Sequence, residues 1–449
     1  MARIIPGVQV TVVKEVVPPQ LAPSGVLGLI GITEKDAPPN STTMRTSSWG
    51  RFLEVCGAAT AYSMPEARQA LANGAFELVI VPLKSSTTAK AAAVDLATED
   101  TAKLKIEARA AGVWANGFRL KVSHRVEADG RFDLEISSAV GDPVEVHRNL
   151  EPATVAEVLS KGSAVVRVAG TTLPPRRPIV TDPVAALAGG KDASADDYIK
   201  ALEHLKSQAD VDMVLAAVQD FSKVTSIYSA VIAHCNGMST DSNGRIGFGQ
   251  VSPNATETDA KTMASTLQSD RFVLLAPHGV VGAVAGRIGG LQYFESPTFK
   301  TISGIDGLSR ALPLEEQSGL LSAFVVPVVE QRGRGVIVLR GITTDGDQIS
   351  VRRIADRAVR GVKTIGELFI GRLNSEDGRG ALKQKLIEFL VQMERESALV
   401  PSADGKEPPF SVDVSSLAPD FAAGIVRVDI AVRPVRAIDY IYATIVVQV

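Results

Sequence analysis

The stretch RFVLLAPHGVVGAVAGRIGG, residues 271–290, reads as a buried strand, a short loop and a helix. Phe272 to Ala276 are apolar without alternation, as in a strand covered on both faces, and Pro277 ends the run. Beyond it Gly279, Gly282, Gly286 and Gly289 recur three or four residues apart. On a helix this spacing makes a stripe of small residues suited to close packing, and it is not the glycine order of a dinucleotide-binding turn. The unit is one strand–helix step of a layered α/β fold.

The same alternation extends outward. GVLGLIG (25–31) and FELVIVP (76–82) are apolar strands enclosing helical stretches near Trp49–Val55 and Pro65–Asn73. It resumes with a helix over 196–208, the strand VDMVLAAV (211–218) and a helix near 222–236, so both stretches are expected in one sheet. Between them KLKIEARA, FRLKVSH, RFDLEIS, PVEVHRN and AVVRVA are short β-rich segments, separated by turn signals such as Asp129-Gly130 and Gly141-Asp142-Pro143. They predict an inserted β-rich domain over 101–182. LPPRRPIVTDPV and Gly189-Gly190 then lead back to the α/β core.

After residue 335 come the strand GVIVLRGIT, an amphipathic helix over about 350–364, a second helix over about 379–397, the loop PSADGKEPP and two strands. In the first helix Val351, Ile354, Ala355, Ala358, Val359 and Val362 keep the helical period, with Arg352, Arg353, Arg357, Arg360 and Lys363 opposite.

Both ends of the sequence alternate. VQVTVVKEVV (8–17) sets Val8, Val10 and Val12 against Gln9, Thr11 and Glu15, and Pro18-Pro19 then stops the strand. IDYIYATIVVQV (438–449) sets Ile441, Ile445, Val447 and Val449 against Tyr440, Tyr442, Thr444 and Gln448. Patterned strands at both extremes require partners, since an open strand edge invites aggregation.

Bulk properties narrow the function. A chain of 449 residues exceeds one ordinary core, so two or three domains are expected, and 45% hydrophobic with 22% charged residues is a globular composition. A net charge of −3, with no long basic run among 47 Lys and Arg, gives no electrostatic basis for nucleic-acid binding. Cys56 and Cys235 are too few for a disulfide framework, MARIIPG is no secretory signal, and no apolar run approaches the roughly 20 residues of a membrane span. The expectation is a soluble cytoplasmic product.

Chemistry-bearing motifs are missing: there is no GxxxxGK[ST], HExxH, paired CxxC or GxSxG. Gly244, Gly247 and Gly249 read as a flexible turn. His124, His147, His204, His234 and His278 are scattered, and the adjacent His234-Cys235 diverge on either regular element. Asp196-Asp197 and Glu315-Glu316 fit helix starts. No catalytic, cofactor-binding or metal-binding residue is nominated.

Against this background GVQVTVVKEVV, RFVLLAPHGVVGAVAG, GRGVIVLRGITTDG, ISVRRIADRAVR and VRVDIAVRPVRAIDYIYATI, in that order, resemble the contractile tail sheath family of phage tails and extracellular contractile injection systems. The resemblance covers the first 85 residues and everything from about 186 onward. AGVWANGFRLKV is similar to the variable outer domain of longer sheath proteins.

The resemblance implies an α/β multidomain chain: an N-terminal arm (1–20), a middle α/β domain (21–100 plus 183–335), the β-rich outer domain (101–182), an inner sheath domain (336–437) and a C-terminal arm (438–449). It implies a structural subunit that polymerises helically around an inner tube and contracts without nucleotide, with neighbouring copies, the tube protein, baseplate and terminal cap as partners. The exchanged arms would add strands to neighbours through Val8, Val10, Val12, Val13, Val16, Ile438, Tyr440, Ile441, Tyr442, Ile445 and Val447, with Gly424–Pro434 as host strand and Pro18-Pro19 as a hinge. Arg353, Arg357 and Arg360 are the candidate tube-facing residues. The alternatives are a soluble α/β enzyme with a β-domain insertion, which would have no reason to end in two unpaired strands, and a tube or baseplate component.

Overall fold

The computed structural model describes residues 24–84, 86–100, 102–126, 130–170 and 172–443. They form two compact units, one of residues 24–356 with 436–443 and one of residues 357–435.

The first unit is built on an eight-stranded sheet. Glu77–Pro82, Val26–Gly31, Met213–Ala216, Ile246–Gln250, Phe272–Ala276 and Val326–Gln331 lie side by side and parallel in that order. Met44–Thr46 closes one edge and Gly335–Val338 the other, both antiparallel. The two sequence stretches expected to share a sheet do so, through the pairing of Val26–Gly31 with Met213–Ala216. Gly335–Val338, expected to open the inner domain, belongs instead to this sheet, because its hairpin partner Val326–Gln331 is one of the parallel strands.

The continuous apolar runs have a direct cause, since both faces of the sheet are covered. Val26 and Ile30 enter one core with Tyr198, Leu202 and Leu205 of helix Ala195–Lys206 and Tyr228 and Val231 of helix Val224–Thr240. Leu27 and Leu29, pointing the other way, meet Ala67 and Ala70 of helix Pro65–Ala72 and Ala283 and Val284 of helix Val281–Gly290. Gly247 and Gly249 sit in the strand Ile246–Gln250 and not in a turn. A Cβ there would lie 2.6 Å from Val231 or from Tyr228 and Phe272, so glycine makes room for large side chains on the covering helix and the next strand.

Residues 93–187 add two small sheets, Ala93–Ala97, Lys103–Ala108 and Val166–Val168 in one, and Ala185–Ala186, Arg119–Ser123, Phe132–Ser137 and Pro143–Leu150 in the other. Alternate residues Leu104, Ile106, Leu120, Val122, Leu134 and Ile136 close a core of their own. This β-rich structure begins at Ala93, ahead of residue 101, because Ala93–Ala97 pairs along its whole length with Lys103–Ala108.

In the second unit helix Glu376–Arg395 packs Leu382 and Leu386 against one face of an antiparallel hairpin, Phe410–Ser415 with Arg427–Val432. Val412, Val414, Val428 and Ile430 face the helix, whereas Ser411, Asp413, Asp429 and Ala431 face outward and are exposed. The long helix Ile349–Glu367 starts in the first unit and ends in the second.

Candidate assembly site

An open α/β sheet presents its ligand crevice beyond the carboxyl ends of the strands where their order reverses, here between Val26–Gly31 and Met213–Ala216. In this chain its own side chains occupy that place. Gln219, just past the second strand, donates through Nε2 to the Ser63 carbonyl (3.0 Å) and accepts through Oε1 from the Trp114 amide (3.1 Å). Asp192 Oδ2 accepts from the amides of Gln219 and Asp220 at 2.8 and 2.9 Å, and Tyr198 Oη lies 3.0 Å from Asp192 Oδ1. Trp114 stacks on Tyr62 at 5.6 Å, and Arg109 reaches Glu34 Oε1 (2.9 Å) and the Ser160 and Ser163 carbonyls. The crevice serves as a socket for the β-rich insertion.

Burial shifts several titratable groups of this unit. Burial pushes the Cys56 and Cys235 thiols up to about 12, far from reactive thiolates. Burial, with the Arg245 charge, brings His234 down to about 4, so it stays neutral and its Nε2 lies 2.8 Å from Arg245 Nη1. Asp197 closes a capping box with Ser194, and Glu316 pairs with Arg310, which accounts for one member of each acidic doublet. Among the described residues no group of three His, Cys, Asp or Glu could hold a metal, and no helix is long and apolar enough to cross a membrane.

The arm candidates divide. Val8, Val10, Val12, Val13 and Val16, with Pro18-Pro19, lie outside the described residues, as do Ile445 and Val447. Ile438, Tyr440, Ile441 and Tyr442 are described, highly exposed and not in a strand of this chain. The expected host, Gly424–Pro434, contains the strand Arg427–Val432, whose ladder partner among the described residues is Phe410–Ser415. Among the described residues this two-stranded sheet has an outer edge on each strand.

Over residues 436–440 the side chains alternate: Ala437 and Asp439 are half-buried and Arg436, Ile438 and Tyr440 exposed. Gln348 Oε1 accepts from the Ala437 amide at 2.8 Å while its Nε2 donates to the Ala437 carbonyl at 3.0 Å. Asp439 receives Arg340 Nε at 3.0 Å, Gln348 Nε2 at 2.9 Å and Thr298 Oγ1 at 3.4 Å.

The expected basic face on helix Ile349–Glu367 needs correction at one position. Arg353 is buried, and its guanidinium donates to the Leu291 and Gln292 carbonyls at 3.2 and 3.1 Å. Leu291 is the C-cap residue of helix Val281–Gly290 and Gln292 follows it, so Arg353 sits at the C-terminus of that helix, where the helix dipole favours a cation. Arg357 and Arg360 are half-buried. The residues that sequence reasoning missed are Gln348, Arg340 and Thr298, which carry no motif and meet the tail only through the fold.

Residues 191–344 match the family model of the phage tail sheath protein central domain. Among curated proteins none matches the chain in sequence. The fold is similar to that of the anti-feeding prophage helical sheath in its contracted state, at 13% identity and a TM-score of 0.58, covering 99% of both chains. It is similar to the contracted sheath of the extracellular contractile injection system PVC at 11% identity and a TM-score of 0.57, covering 99% of this chain and 98% of that one. For the sheath tail protein of Desulfitobacterium hafniense the identity is 16% and the TM-score 0.52, covering 95% and 100%. At such identities the likeness is one of fold. Residues 191–344 thus match the tail sheath central domain, within a mixed α/β fold that is similar over nearly its whole length to those of sheath proteins of contractile injection systems.

Proposed function

We propose that this chain is the sheath subunit of a contractile injection system: it polymerises as a helical sheath around an inner tube and contracts to drive the tube outward. The observation that carries this reading is the correspondence of the fold, from end to end, with subunits of assembled sheaths. The socket at the strand-order reversal, filled by Gln219, Asp192 and Trp114, supports a structural over an enzymatic role.

In this proposal the segments 8–17 and 438–449 of two neighbours add to the outer edges of the Phe410–Ser415/Arg427–Val432 hairpin. Ten extended residues reach about 33 Å, enough to cross to an adjacent subunit. Each ladder bond contributes only about 1 kcal/mol net, so one link is weak and the polymer holds through many copies. Arms that contact different neighbours make heterologous interfaces, which propagate as an open helix. The stroke is a rigid-body rearrangement driven by strain stored on assembly, without nucleotide. The layout of arms, middle domain, an outer β-rich domain beginning at Ala93 and an inner domain that follows the edge strand Gly335–Val338 belongs to the same proposal, as do cytoplasmic assembly and contacts with tube, baseplate and cap. Of the three arginines Arg357 and Arg360 remain tube-facing candidates. Deleting residues 1–17 or 438–449 should abolish sedimentable filaments while leaving a folded monomer, and undiminished filament assembly by both deletions would refute the arm exchange.

A further inference from the structure

We propose that residues 436–440 are held by a dedicated side-chain clasp on the sheet unit, and that this clasp carries load from the C-terminal arm into the large sheet. Gln348 stands in for a neighbouring strand, because its amide engages both the N–H and the C=O of Ala437. Asp439, with its side chain only 8% exposed, would be costly to bury alone. Here Arg340, Gln348 and Thr298 all donate to it, and Thr298 Oγ1 in turn accepts from the Gly341 amide at 3.1 Å. The Arg340 guanidinium also lies 5.4 Å from the centre of the Tyr440 ring, and Arg436 pairs with Asp347 at 2.9 Å. With Ala437 and Asp439 turned inward, Ile438 and Tyr440 are forced outward and the arm leaves in a set direction.

The clasp sits on the connection between the edge strand Gly335–Val338 and the helix Ile349–Glu367, closed on itself by the bridge of Ile342 with Gln348. Tension on the arm would therefore reach the sheet edge directly. The load-carrying half of this inference rests on the sheath reading above; the clasp itself does not.

The test uses the full chain and its Asp439→Ala, Asp439→Asn and Gln348→Ala variants. Trypsin release of the peptide 437–449 by cleavage after Arg436 should be at least about tenfold faster for Asp439→Ala and Gln348→Ala than for the parent, with an intermediate rate for Asp439→Asn. Thermal melting should stay unchanged, which excludes general unfolding. Equal release rates would overturn the clasp. Filaments of the two alanine variants should also fragment faster under shear, and parental shear resistance alongside fast release would overturn the load path. Failure of the parent chain to form filaments under any condition would count against the sheath reading and its load path, with the release rates still deciding the clasp.

Discussion

Glu66 is buried on helix Pro65–Ala72 with its Oε2 lacking a hydrogen-bond partner among the described residues, and burial, with the nearby Asp192 charge, pushes its carboxyl up to about 7. A raised carboxyl binds its proton in the folded chain at pH values where the unfolded chain has lost it. The stability linked to Glu66 is therefore intact below about pH 4.5 and is lost as pH rises through 7. Glu66→Gln should leave stability nearly unchanged near pH 4.5 and raise it by up to about 3 kcal/mol at pH 8, measured by urea unfolding; the same difference at both pH values would contradict this. Arg271 and Asp356 make a buried two-point pair, both bonds 2.9 Å. Asp356→Ala leaves that guanidinium uncompensated and should cost about 3–5 kcal/mol, read in the same way. Such pairs are invisible in sequence, since Arg271 and Asp356 belong to different elements. Arg353 shows the same limit: its helical phase was legible, but the carbonyls of Leu291 and Gln292 that it meets were not.

Among the elements, the small-residue stripe of helix Val281–Gly290 was legible because glycine spacing encodes close approach. A Cβ on Gly286 would stand 2.3 Å from the Ala70 carbonyl oxygen and one on Gly282 2.5 Å from that of Glu66, both backbone contacts that cannot rotate away. Helix propensity alone would make Gly286→Ala stabilising by about 1 kcal/mol. The packing reverses the sign, and a net loss of about 1–3 kcal/mol is expected from denaturant unfolding; a gain would refute the close contact. Gly247 and Gly249 were read as a turn because glycine marks both loops and crowded strands, and only the position of Phe272 and Tyr228 decides between them. The parallel strands were legible as unbroken apolar runs, whereas the place of Gly335–Val338 at the sheet edge depended on its hairpin partner.

For the whole molecule, the alternating termini pointed to assembly without revealing how an arm is fixed to its own subunit. In the proposed clasp that falls to Gln348, Arg340 and Thr298, gathered from separate parts of the chain onto Ala437 and Asp439. The inserted β-rich region was legible from turn spacing, but its socket at Gln219 and Asp192 follows only from the strand order. The central claim is that this chain builds a contractile sheath knitted by its arms. Negative-stain electron microscopy of the purified protein, alone and with its candidate tube protein, tests it most directly. The account predicts hollow striated tubes that disappear when residues 438–449 are removed; only discrete monomers or dimers under both conditions would contradict it.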